Sequence, residues 1–546
     1  VIGVRPVGDR ALLVELDGLD EVMAFHARVK DSPLGQVDQV AAARTVLLTF
    51  ATARQARRAA HLVRDVDVSP IPAGERRTID IDVVYDGEDL GVVADLSGLS
   101  REAVVAAYTA SDWVAAFGGF APGFAYLAGG DPRLRVPRRD SPRTSVPAGS
   151  VALAGEFSAV YPRASPGGWR LIGRTDAALW DLERDPPALL QPGDAVRFRA
   201  VRADAAALRS GDRAETLTAS ADPSVPTALP SAASRRTDPP GGVGPSGDEV
   251  STSVSALEVV APGLLSLIED LGRPGHADLG VTSSGAADPA SARQANRLVG
   301  NARDAAVVES FGGLTVRAIG DQVVALAGAD APAEVTAPGE EGEPVGRGSA
   351  FLLRDGETLR IGMPVTGLRA YLAVRGGFDA PSVLGSRSAD RLGGIGPAPL
   401  VAAATLVVGR APGSAVSEAE PPIVMPGAET ELRIRFGPRD DWFAESERMR
   451  LVGGTWTVGA ASDRVGMRLE PDDGGTLRVR EGELPSEGVV AGSLQVPPSG
   501  EPVLFGADHP VTGGYPVIAV VIAADLPLMG QLRPGARVRF RAVSRT

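Results

Sequence analysis

Arginine carries nearly all the positive charge available for chemistry. Lys and Arg together number 55, and Lys30 is the single lysine. A P-loop, a Schiff-base enzyme, a Ser-x-x-Lys acyl enzyme and a Ser-Ser-Lys amidase each need a placed lysine. Lys30, in Arg28-Val29-Lys30-Asp31-Ser32, fits none of them, nor the apolar hairpin of a biotin carrier. Cysteine is absent, which excludes disulfides, cysteine nucleophiles and thiolate metal sites. His26, His61, His276 and His509 are scattered without ligand spacing, so no histidine-based metal site is expected. Any catalysis must use Arg, carboxylates, hydroxyls and backbone amides.

Five groups of residues could do such chemistry. Arg133, Arg135, Arg138, Arg139 and Arg143 are interleaved with prolines. Arginine grips carboxylate or phosphate bidentately; the alternative is a solvated basic loop. Phe120-Ala121-Pro122-Gly123-Phe124-Ala125-Tyr126-Leu127 is an aromatic turn. It can line a pocket and offer backbone N–H groups to an anion, or be a buried turn. Gly167-Gly168-Trp169 and Gly513-Gly514-Tyr515 are Gly-Gly turns followed by an aromatic residue. They allow close backbone approach to a ligand, or are simply hairpin turns. Asp270 to His276 leads into Ser283-Ser284-Gly285-Ala286-Ala287-Asp288-Pro289, where a helix N-terminus suits an anion unless Asp288 caps it. Ser462-Asp463-Arg464 adds charge, and His509 beside Asp508 reads as a general base or as a surface histidine.

The elements that must position these residues are mostly β. Gly (66) and Pro (44) make up about a fifth of the chain, against a usual share of roughly an eighth, which disfavours a largely helical protein. A length of 546 residues suggests several domains. The organisation read from composition is an α+β lobe over 1–75, a barrel over 76–203, a flexible linker over 204–255, a first lobe of the second half over 256–415 and a second, barrel-like lobe over 416–546. Strand-like runs cover 11–16, 46–50 and 78–83, and helix-like ones 21–29 and 55–66. Ser100 caps a helix carrying Val104, Val105 and Tyr108, and Asp288-Pro289 starts one burying Ala292, Ala295, Leu298 and Val299. The apolar runs 400–408 and 517–524 suit buried strands and are too short to span a membrane. The net charge of −13 argues against nucleic acid. The N-terminal residues do not form a signal peptide, so a cytoplasmic protein is expected.

Three blocks recur in order. Val146 to Val151, Gly167-Gly168-Trp169 and Pro192-Gly193 followed by Val196-Arg197-Phe198-Arg199-Ala200 are matched by Val489 to Leu494, Gly513-Gly514-Tyr515 and Pro534-Gly535 followed by Val538-Arg539-Phe540-Arg541-Ala542. Such ordered repetition implies two related barrels, with room for a composite site between the halves.

The motifs at 120–127, 131–134, 137–139, 146–150 and 165–174 resemble the B subunit of 5-oxoprolinase, also called the KipI or allophanate hydrolase subunit 1 family. Those at 270–275, 284–299, 384–388, 462–469 and 513–531 resemble the C subunit of the same enzyme, the KipA or allophanate hydrolase subunit 2 family. The resemblance implies a mainly β chain with α+β parts, cyclophilin-like β-barrels in both halves and an α+β lobe at the N-terminus. It also implies kinship with the carboxyltransferase domain of urea carboxylase. The implied function is ATP-dependent cleavage of 5-oxo-L-proline to L-glutamate, with ATP and Mg, alongside a separate LamB/YcsF-type 5-oxoprolinase A subunit. Phosphorylation of the lactam oxygen would activate the amide. Other readings are the carboxyltransferase component of a biotin-dependent carboxylase, with biotin on a partner protein, and a non-catalytic KipI/KipA-like regulator of a histidine kinase. A homo-oligomer is compatible with all three. The candidate catalytic residues are Arg143, Asp463, Arg464, Asp508 and His509. The candidate substrate- or nucleotide-binding residues are Phe120, Pro122, Gly123, Phe124, Tyr126, Arg138, Arg139, Ser150, Gly167, Gly168, Arg273, Ser284, Asp288, Gln495, Thr512, Gly513, Gly514 and Tyr515. The sequence departs from the family pattern at Phe157-Ser158 and Pro510-Val511, where both families carry Gln-Thr.

Overall fold

The computed structural model of the protein describes residues 2–70, 76–202 and 255–544. The stretch read as a linker, 204–255, lies outside the described residues except for Ser255.

The chain begins with four antiparallel strands in the order Gly3–Val7, Ala11–Glu15, Thr45–Thr49, Asp38–Ala41. Alternation divides their side chains between two cores. Leu12, Val14, Val46 and Leu48 pack with Val22 and Phe25 of helix Leu19–Asp31 and with Ala56 and Ala59 of helix Ala53–Leu62. Ala11, Leu13, Val40 and Leu47 pack instead with Val489, Val511, Val517 and Val520 from the far end of the chain. Burial on both faces explains the uninterrupted apolar run at 11–14.

Two barrel-like sheets follow one strand plan. In the first half the order is Thr78–Val83, Arg170–Arg174, Ser150–Ala154, Phe157–Val160, Ala125–Ala128, Trp113–Gly118, Ala195–Ala200; a bridge between Val84 and Arg174 joins the start of that order. In the second the order is Glu429–Phe436, Val517–Val521, Ser493–Gln495, Val503–Phe505, Gly466–Pro471, Thr455–Val458, Arg537–Ala542, and the barrel is closed. In each, the last strand runs parallel to the first. In each, a buried tryptophan anchors the preceding helix by donating from its indole five residues back, Trp113 to Tyr108 O and Trp456 to Leu451 O, both 3.0 Å. Each also carries a small two-stranded ribbon, Arg143–Val146 with Ser165–Gly167 and Glu487–Gly488 with Thr512–Gly513. The repeated sequence blocks map onto these ribbons, the strands beside them and the last strands.

Between the barrels, a six-stranded and a five-stranded sheet pack face to face through Leu257, Val316 and Leu359 on one side and Val308, Val324 and Leu372 on the other. Helix Pro289–Leu298 covers the outer face of the five-stranded sheet with Ala292, Ala295 and Leu298. Asp288 accepts from Ala290 N and Ser291 N as its cap. Ser100 likewise accepts from Ala103 N at 3.2 Å. The run 400–408 is not a buried strand. Only Thr405–Val407 forms a strand, at the edge of the six-stranded sheet, with Val401 and Val407 exposed and Val408 bridged to Phe378. No helix of the described residues is long and apolar enough to cross a membrane.

Candidate functional site

The arginine cluster is held by an acid the motif search did not single out. Asp89 lies in the turn before helix Leu90–Ser97, with its side chain 4% exposed. It accepts from Leu171 N at 2.7 Å, Arg139 Nη1 at 3.1 Å and Arg143 Nη2 at 3.1 Å. Burial opposes its charge, but the bonds from Arg143 and Leu171 and the charges of Arg143 and Arg139 outweigh it and hold the carboxyl below its usual range. Arg143 also reaches Glu88 at 3.1 Å and Trp169 O at 3.4 Å. Arg139 and Arg143 are therefore fixed rather than solvated. Arg138 differs: it is exposed, and its nearest acid, Glu483 of the second half, stands 3.8 Å away.

Arg138 is where the barrels meet. A Cβ on Gly514 would lie 3.8 Å from its Nη1, and Tyr126 OH contacts Ser486 Oγ at 3.1 Å across the same seam. Gly514 and the exposed Tyr515 follow the ribbon residues Thr512 and Gly513, and Gln495 pins the turn by donating to Tyr515 O at 3.1 Å. On the other side, Gly167 packs under the Tyr161 hydroxyl and Gly168 O accepts from Arg139 N at 2.8 Å. Burial pushes the Tyr161 phenol up to about 12, with Arg138 and Arg143 acting against it. Arg138 also lines an arginine-bearing groove of about 480 Å³ with Arg135, Tyr126, Phe157, Glu483 and Ser486, whose walls include neither Gly-Gly turn. Ser150 is buried in the barrel wall.

The aromatic turn does not offer its backbone to a ligand. Phe120, Phe124 and Tyr126 pack tilted or edge-to-face among themselves and against Tyr161 and Trp169. Pro122 is buried, and Gly123 N donates to Leu279 O of the second half at 3.2 Å. The turn is a seam between halves, and only Tyr126 reaches the groove.

A second group is a buried ionic network. Arg464, 3% exposed, donates to Asp508 at 2.8 and 2.9 Å, to Glu309 at 2.6 Å and to Gly285 O at 2.7 Å. Glu269 stands 3.4 Å from it. Glu309 also faces Arg369 at 3.2 Å and accepts from Tyr371 OH at 2.7 Å. Burial pushes Glu269 well up, whereas Arg464 holds Asp508 and Glu309 below their usual range despite burial. Ser284, with a left-handed φ of 51°, bonds Asp508 at 2.5 Å and Ala389 O at 3.0 Å. Arg273 is buried against the carbonyls of Val383 and Ser388, and burial lowers its pKa.

Three sequence expectations change here. Asp508 and His509 do not form an acid–base pair: Asp508 turns to Arg464 and Ser284, while His509 Nδ1 contacts Pro510 O at 2.8 Å. Asp463 is exposed and accepts from Val465 N and Gly466 N, which makes it a turn former apart from the network. Asp288 fills its own helix N-terminus, also bonding Ser291 Oγ and Gln531 Nε2, so no anion position remains there. Asp89, Glu269 and Glu309 are single acids on unrelated segments and carry no sequence signal. The departures from the family pattern fall at the openings: Phe157 lines the groove, and Val511 lines a cavity beside His509.

Residues 2–190 match the family model described as carboxyltransferase domain, subdomain C and D, and residues 279–542 match the one described as carboxyltransferase domain, subdomain A and B. The C subunit of 5-oxoprolinase from Escherichia coli K12 is 32% identical over 289 residues, 52% of this chain and 90% of that protein. The chain belongs to the carboxyltransferase-domain family. It carries a half like the 5-oxoprolinase B subunit followed by a half like the C subunit. The B subunit from Escherichia coli O157:H7 is 51% identical over 127 residues, 23% of this chain and 58% of that protein, so the match spans little over half of that relative. The crystal structure of TTHA0988 aligns over 97% of this chain and 99% of its own, at 34% identity and a TM-score of 0.79. As a carboxyltransferase-domain protein, the chain is kin to components of multi-subunit enzymes.

Proposed function

We propose that the chain is the fused B and C component of an ATP-dependent 5-oxoprolinase, opening 5-oxo-L-proline to L-glutamate with a LamB/YcsF-type A subunit. The observation that carries this reading is the order of the two halves, one like the B subunit and one like the C subunit of the same enzyme, on a single chain. The arginine-bearing groove between the barrels supports it, because the phosphate of a nucleotide brought by the partner is a charge such a groove stabilises.

No group of three or more His, Asp or Glu able to hold a metal occurs among the described residues, and Arg139 and Arg143 are committed to Asp89. In this reading Arg138 faces the partner, which brings the nucleotide. The chain's own task is to bind the lactam and hold it while the amide opens.

The test mixes the purified chain with its LamB/YcsF-type partner, ATP and 5-oxo-L-proline, and measures glutamate and phosphate. Product from the mixture but from neither protein alone is expected. No product, where a known oxoprolinase complex works, overturns the reading. Carboxyl transfer from carboxybiotin in its place would assign the chain to a biotin-dependent carboxylase.

A further inference from the structure

A cavity of about 320 Å³ lies where the N-terminal sheet, the loop 277–289 and the C-terminal barrel meet. That size falls at the lower end of small-molecule sites, roughly 300–1,000 Å³. Its walls are largely aliphatic, including Val7, Val40, Leu47, Val489, Val511 and Val520. Thr282, His509 and Arg10 in those walls each offer a polar atom to a ligand.

Thr282, 4% exposed, lines the cavity and its Oγ1 makes no hydrogen bond. A buried hydroxyl without a partner costs stability, and a ligand carbonyl would accept from it. His509 also lines the cavity, stacked on Phe505. Its Nδ1 faces a carbonyl, which only accepts, so Nδ1 carries the proton. Burial lowers its pKa, which keeps the ring neutral and leaves Nε2 as an acceptor for a ligand N–H. Arg10, exposed at the rim, can receive a carboxylate. Asp38 is occupied, accepting from Gly275 N and Ala277 N, as are Asp9, which accepts from Ala523 N, and Ser284, which is bonded to Asp508; the hydroxyls of Thr49 and Ser283 complete the polar part of the wall.

The geometry points to a binding site for a small aliphatic carboxylate bearing a secondary amide, its N–H on His509, its carbonyl on Thr282 and its acid on Arg10. A lactam acid has this pattern, so the inference deepens the proposed function, on which the choice of ligand rests. It places the lactam in the cavity and not in the arginine groove.

The experiment is calorimetric titration of the full chain with 5-oxo-L-proline, without nucleotide or partner. Saturable binding is expected, with 2-pyrrolidone (no carboxylate) and L-proline (no carbonyl) at least tenfold weaker. Thr282→Val should weaken binding roughly tenfold, the worth of one hydrogen bond. Ala491→Phe, which fills the space from a half-buried wall position, should abolish it. Circular dichroism confirms that each variant is folded. Absence of binding to the wild-type chain, or equal binding by both variants, overturns the site. Turnover by the assembled enzyme with an unchanged KM in Ala491→Phe overturns the site but leaves the function standing. Binding in the cavity without turnover does the reverse.

Discussion

Replacing Arg464 by Met tests whether the ionic network holds the second half together. Arg464 joins the C-terminal barrel to the central sheets through Glu309 and Gly285 O and bonds Asp508 of its own lobe, all at 2.9 Å or less. Methionine keeps the aliphatic length but leaves two fully buried carboxylates with fewer partners. Breaking a buried pair from one side costs about 3–5 kcal/mol, or roughly 6–20 °C in Tm for a unit of 150–250 residues. The control is Arg537→Met, whose pair with Asp472 at 2.9 Å is part-exposed and should matter by under about 1 kcal/mol. The pH dependence follows from the direction of the shifts. Asp508 and Glu309 titrate below their usual range in the folded chain. Their stabilisation is complete above the unfolded values of roughly 4, and is lost as pH falls through the lower folded ones. The gap between wild type and variant should therefore narrow in acid. The assay is thermal and urea unfolding from pH 3 to 8, read by tryptophan fluorescence, with Trp456 inside the affected barrel. A loss at pH 7 no larger than that of Arg537→Met, or one equal at pH 3 and pH 7, would refute the reasoning.

Two further outcomes are expected. Asp390 is buried, its Oδ2 lacks a partner, and burial together with the charge of Asp508 pushes its pKa up to about 6. The contribution of Asp390 to stability therefore declines as pH rises from roughly 4 to 6. Asp390→Asn keeps an acceptor for Gly393 N and should stabilise the chain at pH 7 by up to about 3 kcal/mol, with no gain below pH 4; urea titrations at pH 4 and pH 7 check both. Cutting the chain between residues 202 and 255 should leave the halves associated in gel filtration. They are joined by Asp38 to Gly275 N and Ala277 N, by Lys30 to Asp278 at 2.8 Å and by Arg439 bridging Glu15 and Glu487. Gly280→Val should separate the cut halves, because Gly280 has a φ of +78° and its Cβ would meet Ala121 O at 2.2 Å.

The local elements were legible because their signals are local. Ser100 and Asp288-Pro289 announce helix starts through their own backbone bonding, and the alternation at 78–83 announces its strand. The repeated Pro-Gly-strand and Gly-Gly blocks pointed to two related barrels, since a repeated plan leaves a repeated pattern of turns. The groove was legible in part, as Arg135, Arg138 and Tyr126. Asp89 was not, because an acid's worth as an anchor depends on which arginines fold back onto it.

By itself the sequence determined the kind of chemistry open to this protein: one lysine and no cysteine leave arginine, carboxylates, hydroxyls and amides, set on β elements in two related halves. Only the tertiary structure decided how neighbours in sequence part company. Leu12 and Leu13 serve different cores, one under the helices and one against the distant barrel. Asp508 enters an ionic network while His509 faces a cavity. The reason is physical: backbone pattern sets which way successive side chains point, but what they meet there comes from segments hundreds of residues away.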